Sequence, residues 1–170
     1  MTSPVYTFTV PAFIKGLTAL TQILKEAESH ATKNNIPLAD FVNARLYDDM
    51  KPLSYQVQVA TDLALKGVAR PTHTDPVDRP HSETTFEELY ARIDKTLEIL
   101  NAVDPAAYTG KEKTPFKAPF GPTEVEFTAE TYAANFALPN FYFHLTTAYA
   151  IFRAKGVPLG KLVYLKPFLS

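Results

Sequence analysis

Apolar residues recur at intervals of three and four along four long stretches of this chain, which predicts four amphipathic helices. The first runs from about Thr9 to about Thr32, with Phe13, Leu17, Leu20, Leu24 and Ala27 on one face. Asn34-Asn35-Ile36-Pro37 breaks it, and a short helical turn follows over residues 38–42. The second starts near Pro52 and ends at Gly67. Its inward stripe reads Leu53, Gln56, Ala60, Leu63 and Gly67, with Val57 and Ala64 beside it. The third opens on the capping-box sequence Thr85-Phe86-Glu87-Glu88 and carries Leu89, Ile93, Leu97 and Leu100. The fourth spans Pro139 to Lys155. A proline suits its first turn, and Gly156 and Pro158 stop it.

The connections read differently. The segment Arg70 to Ser82 has three prolines, two histidines and no apolar period, so it is predicted as a surface loop. His73 and His81, with Asp75, Asp78 and Glu83 nearby, are then solvated groups. Between Tyr108 and Phe127, apolar and β-branched residues are interrupted by Pro115, Pro119, Gly121 and Pro122, and a short hairpin turning at Gly121-Pro122 is expected. Thr128 caps a short helix through about Phe136. The sum is an all-α four-helix bundle over residues 1–170, one domain, with a hairpin between the third and fourth long helices.

Composition narrows the function. Hydrophobic residues make up 46% and charged residues 21%, and the net charge is −1. Mixed charge gives no footprint for nucleic acid or an anionic membrane, so neither is expected as a partner. The absence of cysteine excludes disulfides, thiolate metal sites and cysteine nucleophiles. The N-terminal residues have no basic region followed by an apolar run, and no run of about 18 apolar residues occurs, so a cytoplasmic location is expected. No phosphate loop, dinucleotide fingerprint or HExxH is present.

Helical bundles build their sites from side chains on facing helices. Asn140 and His144 stand four apart and share a face of the last helix. Gln56 lies in the apolar stripe of the second helix, where a buried amide needs partners for its oxygen and its hydrogens. These three are the candidate site. Tyr142 and Tyr149 add phenols, Asp49 a carboxylate at the bundle end, and Arg153 a cation for an anionic group.

The segments Arg45-Leu46-Tyr47-Asp48-Asp49-Met50, Pro52-Leu53, Gln56-Val57-Gln58, Leu138-Pro139-Asn140-Phe141-Tyr142-Phe143-His144, Thr147-Ala148-Tyr149 and Gly156-Val157-Pro158-Leu159-Gly160-Lys161 carry a resemblance. The chain resembles the DinB-like (YfiT-like) metalloenzyme superfamily, within a branch known as a domain of unknown function. That resemblance covers nearly the whole chain and implies a four-helix bundle. It also implies a divalent metal held by three histidines, one on the second helix and two four apart on the last. The corresponding positions here are Gln56, Asn140 and His144, of which only one is histidine.

One imidazole with two neutral amides is a poor ligand set for zinc or nickel. No metal and no other cofactor are therefore expected. The preferred reading is a small-molecule enzyme in which His144 moves a proton in an aromatic-lined core pocket, by isomerase, cyclase or lyase chemistry. Two alternatives stay open: a metal-dependent transferase or hydrolase with altered ligands, and a non-catalytic binding or stress-associated homodimer. A homodimer is expected in either case.

Overall fold

A computed structural model describes residues 2–169. Its four long helices, α1 (Pro4–Asn34), α3 (Leu53–Ala69), α4 (Phe86–Asn101) and α6 (Leu138–Ala154), form an all-α bundle. A two-stranded antiparallel hairpin, β1 (Phe116–Phe120) and β2 (Thr123–Phe127), is inserted between α4 and α6. Short helices α2 (Leu38–Val42), α5 (Ala129–Tyr132) and α7 (Lys161–Leu165) complete the chain.

The predicted stripes are the core. Phe13, Leu17, Leu20, Leu24 and Ala27 of α1 are fully buried, as are Leu53, Val57, Ala60 and Ala64 of α3 and Leu89 and Ile93 of α4. The predicted capping box at Thr85 forms, and the predicted cap at Thr128 is a second one. Thr85 accepts from the Glu88 N–H at 3.2 Å while the Glu88 carboxylate accepts from the Thr85 N–H, and Thr128 does the same with Thr131. At the end of α6, Gly156 takes φ 86°, and the Val157 N–H donates back to the Phe152 carbonyl at 3.0 Å. A side chain is strained at that φ, so the predicted glycine stop has a direct cause.

Two boundaries need correction. α1 begins at Pro4, five residues before the predicted start, and runs through Pro11. By length and composition α1 would also cross a membrane, but half of its most apolar stretch is buried in the bundle. Pro139 is not the start of a separate helix. Chain from Ala129 to Ala154 is helical throughout, with a π turn at Ala133–Ala137 just before the proline. Proline cannot donate to the carbonyl four residues back and its ring crowds that turn. Widening the turn relieves both.

The hairpin turns at Gly121-Pro122, with Phe120 paired to Thr123 and Gly121 at φ 58°. It docks through aromatic rings. Phe116 and Phe127 each lie 5.4 Å from the buried Tyr132 ring, and Phe120 lies 6.0 Å from Phe136.

The helices approach one another through two notches. Phe13 and Phe141 meet edge to face, with centroids 5.1 Å apart. Phe13 sits against Gly67 of α3, and Phe141 against Gly16 of α1. A Cβ at Gly67 would stand 2.5 Å from Phe13 Cε2, and one at Gly16 2.4 Å from Phe141 Cε1. In an open helix, Gly→Ala gains about 0.5–1 kcal/mol. Here the sign is expected to reverse, because the methyl would overlap a fully buried ring that must shift to admit it. Gly67→Ala is expected to destabilise by about 1–3 kcal/mol, read from the urea midpoint, with partial recovery when combined with Phe13→Leu. A stabilised single variant would show that the helices simply separate to admit the methyl.

Candidate functional site

Gln56 and His144 meet across the α3–α6 interface. Gln56 is 2% exposed. Its Nε2 donates to the Lys51 carbonyl at 2.9 Å, in the turn that leads into α3. That bond fixes which way the amide points, so Oε1 is the atom facing His144 Nδ1, at 2.7 Å. An amide oxygen only accepts, so Nδ1 carries the hydrogen. Nε2 of His144 is left with its lone pair, and it has no hydrogen bond among the described residues. Burial pushes the His144 pKa down to about 4. The group is therefore a neutral imidazole with a defined tautomer and one unused nitrogen.

The other predicted residues divide by helix face. Asn140 lies one turn before His144 on the same face, half-buried, and its amide makes no hydrogen bond among the described residues. Tyr142, Tyr149 and Arg153 lie about 140–180° around α6 from His144, taking 100° per residue. They are not at the site. Tyr142 packs on Phe168 at 6.1 Å, Tyr149 donates to the Leu159 carbonyl at 3.0 Å, and Arg153 donates to the Val157 carbonyl. All three tie the C-terminal segment down. Asp49 is exposed in the turn before α3. Gln56 and His144 do not line the apolar groove of 340 Å³ at Val5, Phe8 and Leu138, nor the polar one of 380 Å³ at Arg79, Glu83 and Arg92. The imidazole is half-buried beside Tyr55, whose ring lies 6.1 Å away.

A second polar cluster has no counterpart in the sequence reading. Asp62 of α3 is 6% exposed. Its Oδ1 accepts from Arg92 at 2.6 Å and from Arg79 at 3.2 Å, and its Oδ2 faces His81 Nε2 at 2.8 Å. Arg92 uses four of its five N–H groups among the described residues: it also donates to Thr61, to the Pro80 carbonyl and to Glu83 at 2.7 Å. Gln58 donates to Glu83 at 3.1 Å. Burial raises the Glu83 carboxyl, but the Arg92 hydrogen bond and charge bring it net below the usual range. Burial, and then the charge of Arg92, hold Arg79 below its ordinary value. The predicted surface loop is thus a strap, held to α3 and α4 by side chains rather than by a backbone period. Both histidines are exposed, but His81 is tied to Asp62 through Nε2 and the His73 ring lies 5.8 Å from Phe116, so neither is a purely solvated group.

The depressed His144 pKa has a consequence for stability. Unfolded imidazole titrates near 6.5. As pH falls from about 6.5 towards about 4, the unfolded chain takes up a proton that the native site refuses, so stability drops across that window. Below it both states are protonated and this group adds no further slope. After discounting for partial exposure, the loss is about 1–3 kcal/mol. Urea unfolding at pH 7 and pH 5 should show a smaller drop in His144→Leu than in the parent; an equal drop would mean that His144 is not held neutral.

The donor set does not fit a three-ligand metal centre. Gln56 has its oxygen on Nδ1–H and its nitrogen on a backbone carbonyl, which leaves one imidazole nitrogen and the Asn140 amide. Among the described residues, no three His, Asp or Glu side chains gather closely enough to hold an ion.

Residues 5–165 match the family profile described as a domain of unknown function, DUF1993. A crystal structure of a DinB family member from Shewanella denitrificans is similar, at 36% identity and a TM-score of 0.87, over 94% of this chain and 90% of that one. No curated protein matches the chain.

Proposed function

The chain belongs to the DUF1993 family, and from that premise and the geometry of α3 and α6 we propose that it is a cofactor-independent small-molecule enzyme with His144 as its base. The observation that carries this reading is the chain of bonds from the Lys51 carbonyl through Gln56 to Nδ1. It spends one imidazole nitrogen on orientation and leaves the other as a proton acceptor. Asn140, one turn earlier with an unbonded amide, supplies a donor for a substrate carbonyl.

An imidazole this hard to protonate is a weak base, so the proton it takes must already be acidic. A C–H between two carbonyl groups, or a phenolic O–H, meets that requirement. Nε2 forms a bond to the proton, the C–H pair moves into the carbonyl as an enolate, and the proton returns at another atom or a leaving group departs. Isomerisation, cyclisation and elimination all begin this way.

A thermal-shift screen of β-dicarbonyl and phenolic compounds tests the reading. Hits should lose their effect in His144→Leu and in Asn140→Leu, and turnover should vanish with the first. Hits that persist in both variants would overturn it. Gln56→Leu strands Nδ1–H and frees the ring to change tautomer, and should cost about 1–3 kcal/mol of stability as well as binding, measured by urea unfolding and by the same shift assay.

A further inference from the structure

The strap brings a second imidazole to the same aromatic ring. The Tyr55 ring lies 6.1 Å from His144 and 5.6 Å from His81, edge to face with both. The Lys51 ammonium stands 5.8 Å from the centroid of the same ring. The Tyr55 phenol makes no hydrogen bond among the described residues. Half-buried Tyr55 therefore contacts both imidazoles and has a cation over its ring.

The two imidazoles are held in unlike ways. His144 gives its Nδ1–H to a neutral amide. His81 gives its Nε2–H to the Asp62 carboxylate, which Arg79 and Arg92 hold in place through the other oxygen. That leaves Nδ1 of His81 for exchange with a bound molecule, on a side chain still 35% exposed. A carboxylate behind an imidazole fixes the orientation of the ring. Paired groups in contrasting surroundings are how one site obtains both an acid and a base.

We propose that His81, oriented by Asp62 and in contact with the same Tyr55 ring as His144, is the second proton-transfer group of this site, and that the two serve a planar, weakly acidic carbonyl or phenolic compound. This rests on the reading of His144 as the base. The compound lies on Tyr55 with its acidic hydrogen towards His144 and its oxygen towards His81 and Lys51. His144 Nε2 takes the hydrogen as the electron pair moves to oxygen. Doubly protonated His81 gives the proton on Nδ1 to that oxygen or to the far carbon. Each imidazole then returns to its starting state through solvent, with no oxidant or reductant involved. Asp62, Arg79 and Arg92 position His81 without touching the compound.

4-Nitrophenol is a suitable probe, because it is planar and weakly acidic and its ionisation changes its colour. Wild-type protein should bind it and shift the bound probe towards phenolate through His81 and Lys51, and His144→Leu should abolish binding. His81→Asn should weaken binding about tenfold or more and lose much of the colour change, since a charge-assisted hydrogen bond disappears. Binding that depends on His144 but is unchanged in His81→Asn would overturn this inference and leave the His144 reading standing. Binding indifferent to His144→Leu would overturn both. If His81→Asn loses the strap, the imidazole resonances of wild-type protein decide: the probe should move the signals of both His81 and His144, and movement of His144 alone would sink the pairing.

Discussion

Asp62→Ala should lower the unfolding free energy by about 3–5 kcal/mol, more than any other single polar change in this protein. The carboxylate is 6% exposed and accepts from three side chains on two other elements. Truncation leaves the Arg92 guanidinium, 3% exposed, with Glu83 as its one ionic partner among the described residues. It also leaves Arg79, among the described residues, with only Thr96 as a side-chain hydrogen-bond partner and a buried Nε that has none. A buried cation stripped of its counter-ion costs far more than the pair contributes when intact. Asp62→Asn should fall between the two, keeping volume and one acceptor. The measurement is equilibrium urea unfolding with limited proteolysis of residues 70–85, whose cleavage should accelerate in both variants. A loss under about 1 kcal/mol with an uncut strap would show that Arg92, Glu83 and the Pro80 carbonyl hold the segment alone.

The same cluster marks where the sequence stops being readable. Helical periodicity exposed the core because each apolar stripe is a property of one helix. Gln56 stood out for the same reason, as an amide in a stripe whose other members had to be buried, and His144 stood on the helix that had to face something. Arg92 carried an equivalent signal. It lies three residues after Leu89 and four before Thr96, on the buried side of α4. Its complement, Asp62, is on another helix beside the main stripe, and nothing local says that α3 and α4 turn those sides towards each other. The strap was hidden more thoroughly. Its order comes from Arg79, His81 and Glu83 reaching inward from backbone with no period, and three prolines in thirteen residues resemble a solvated loop whether or not side chains anchor it.

Tyr142, Tyr149 and Arg153 teach a related lesson about faces. Each is polar and close in sequence to His144, and each holds the C-terminal segment on the far side of α6. Spacing alone separates them, since only a residue three or four positions from His144 shares its face. Asn140 passes that test. The π turn at Ala133–Ala137 sits just upstream, so the rotation of α6 that sets Asn140 and His144 against α3 is fixed by how Pro139 is accommodated. That coupling lies in backbone geometry that no hydrophobic pattern records.

For a compound the site turns over, His144→Gln should reduce kcat by about 10²–10⁴, while the thermal midpoint stays within a few degrees. Glutamine keeps bulk and a hydrogen-bonding amide beside Gln56, so packing survives while the proton acceptor is gone. A structural role for His144 would give the opposite result, a large drop in midpoint with little selective loss of rate. The pH profile separates the two further. If the base is the buried imidazole, the acid limb of kcat/KM reports its protonation in the free enzyme, with a midpoint near 4 rather than near the ordinary imidazole value of about 6.5. Activity is then present above that midpoint and lost as pH falls through it, because Nε2 fills its lone pair with a proton. Since stability also declines between pH 6.5 and 4, rates must be taken at temperatures well below the midpoint measured at each pH. An acid limb centred near 6.5 and unchanged in Gln56→Leu would mean that some more exposed group takes the proton. In Gln56→Leu the limb of a His144 base should stay at or below about 4, because the burial remains and the oxygen that accepts from Nδ1–H is gone.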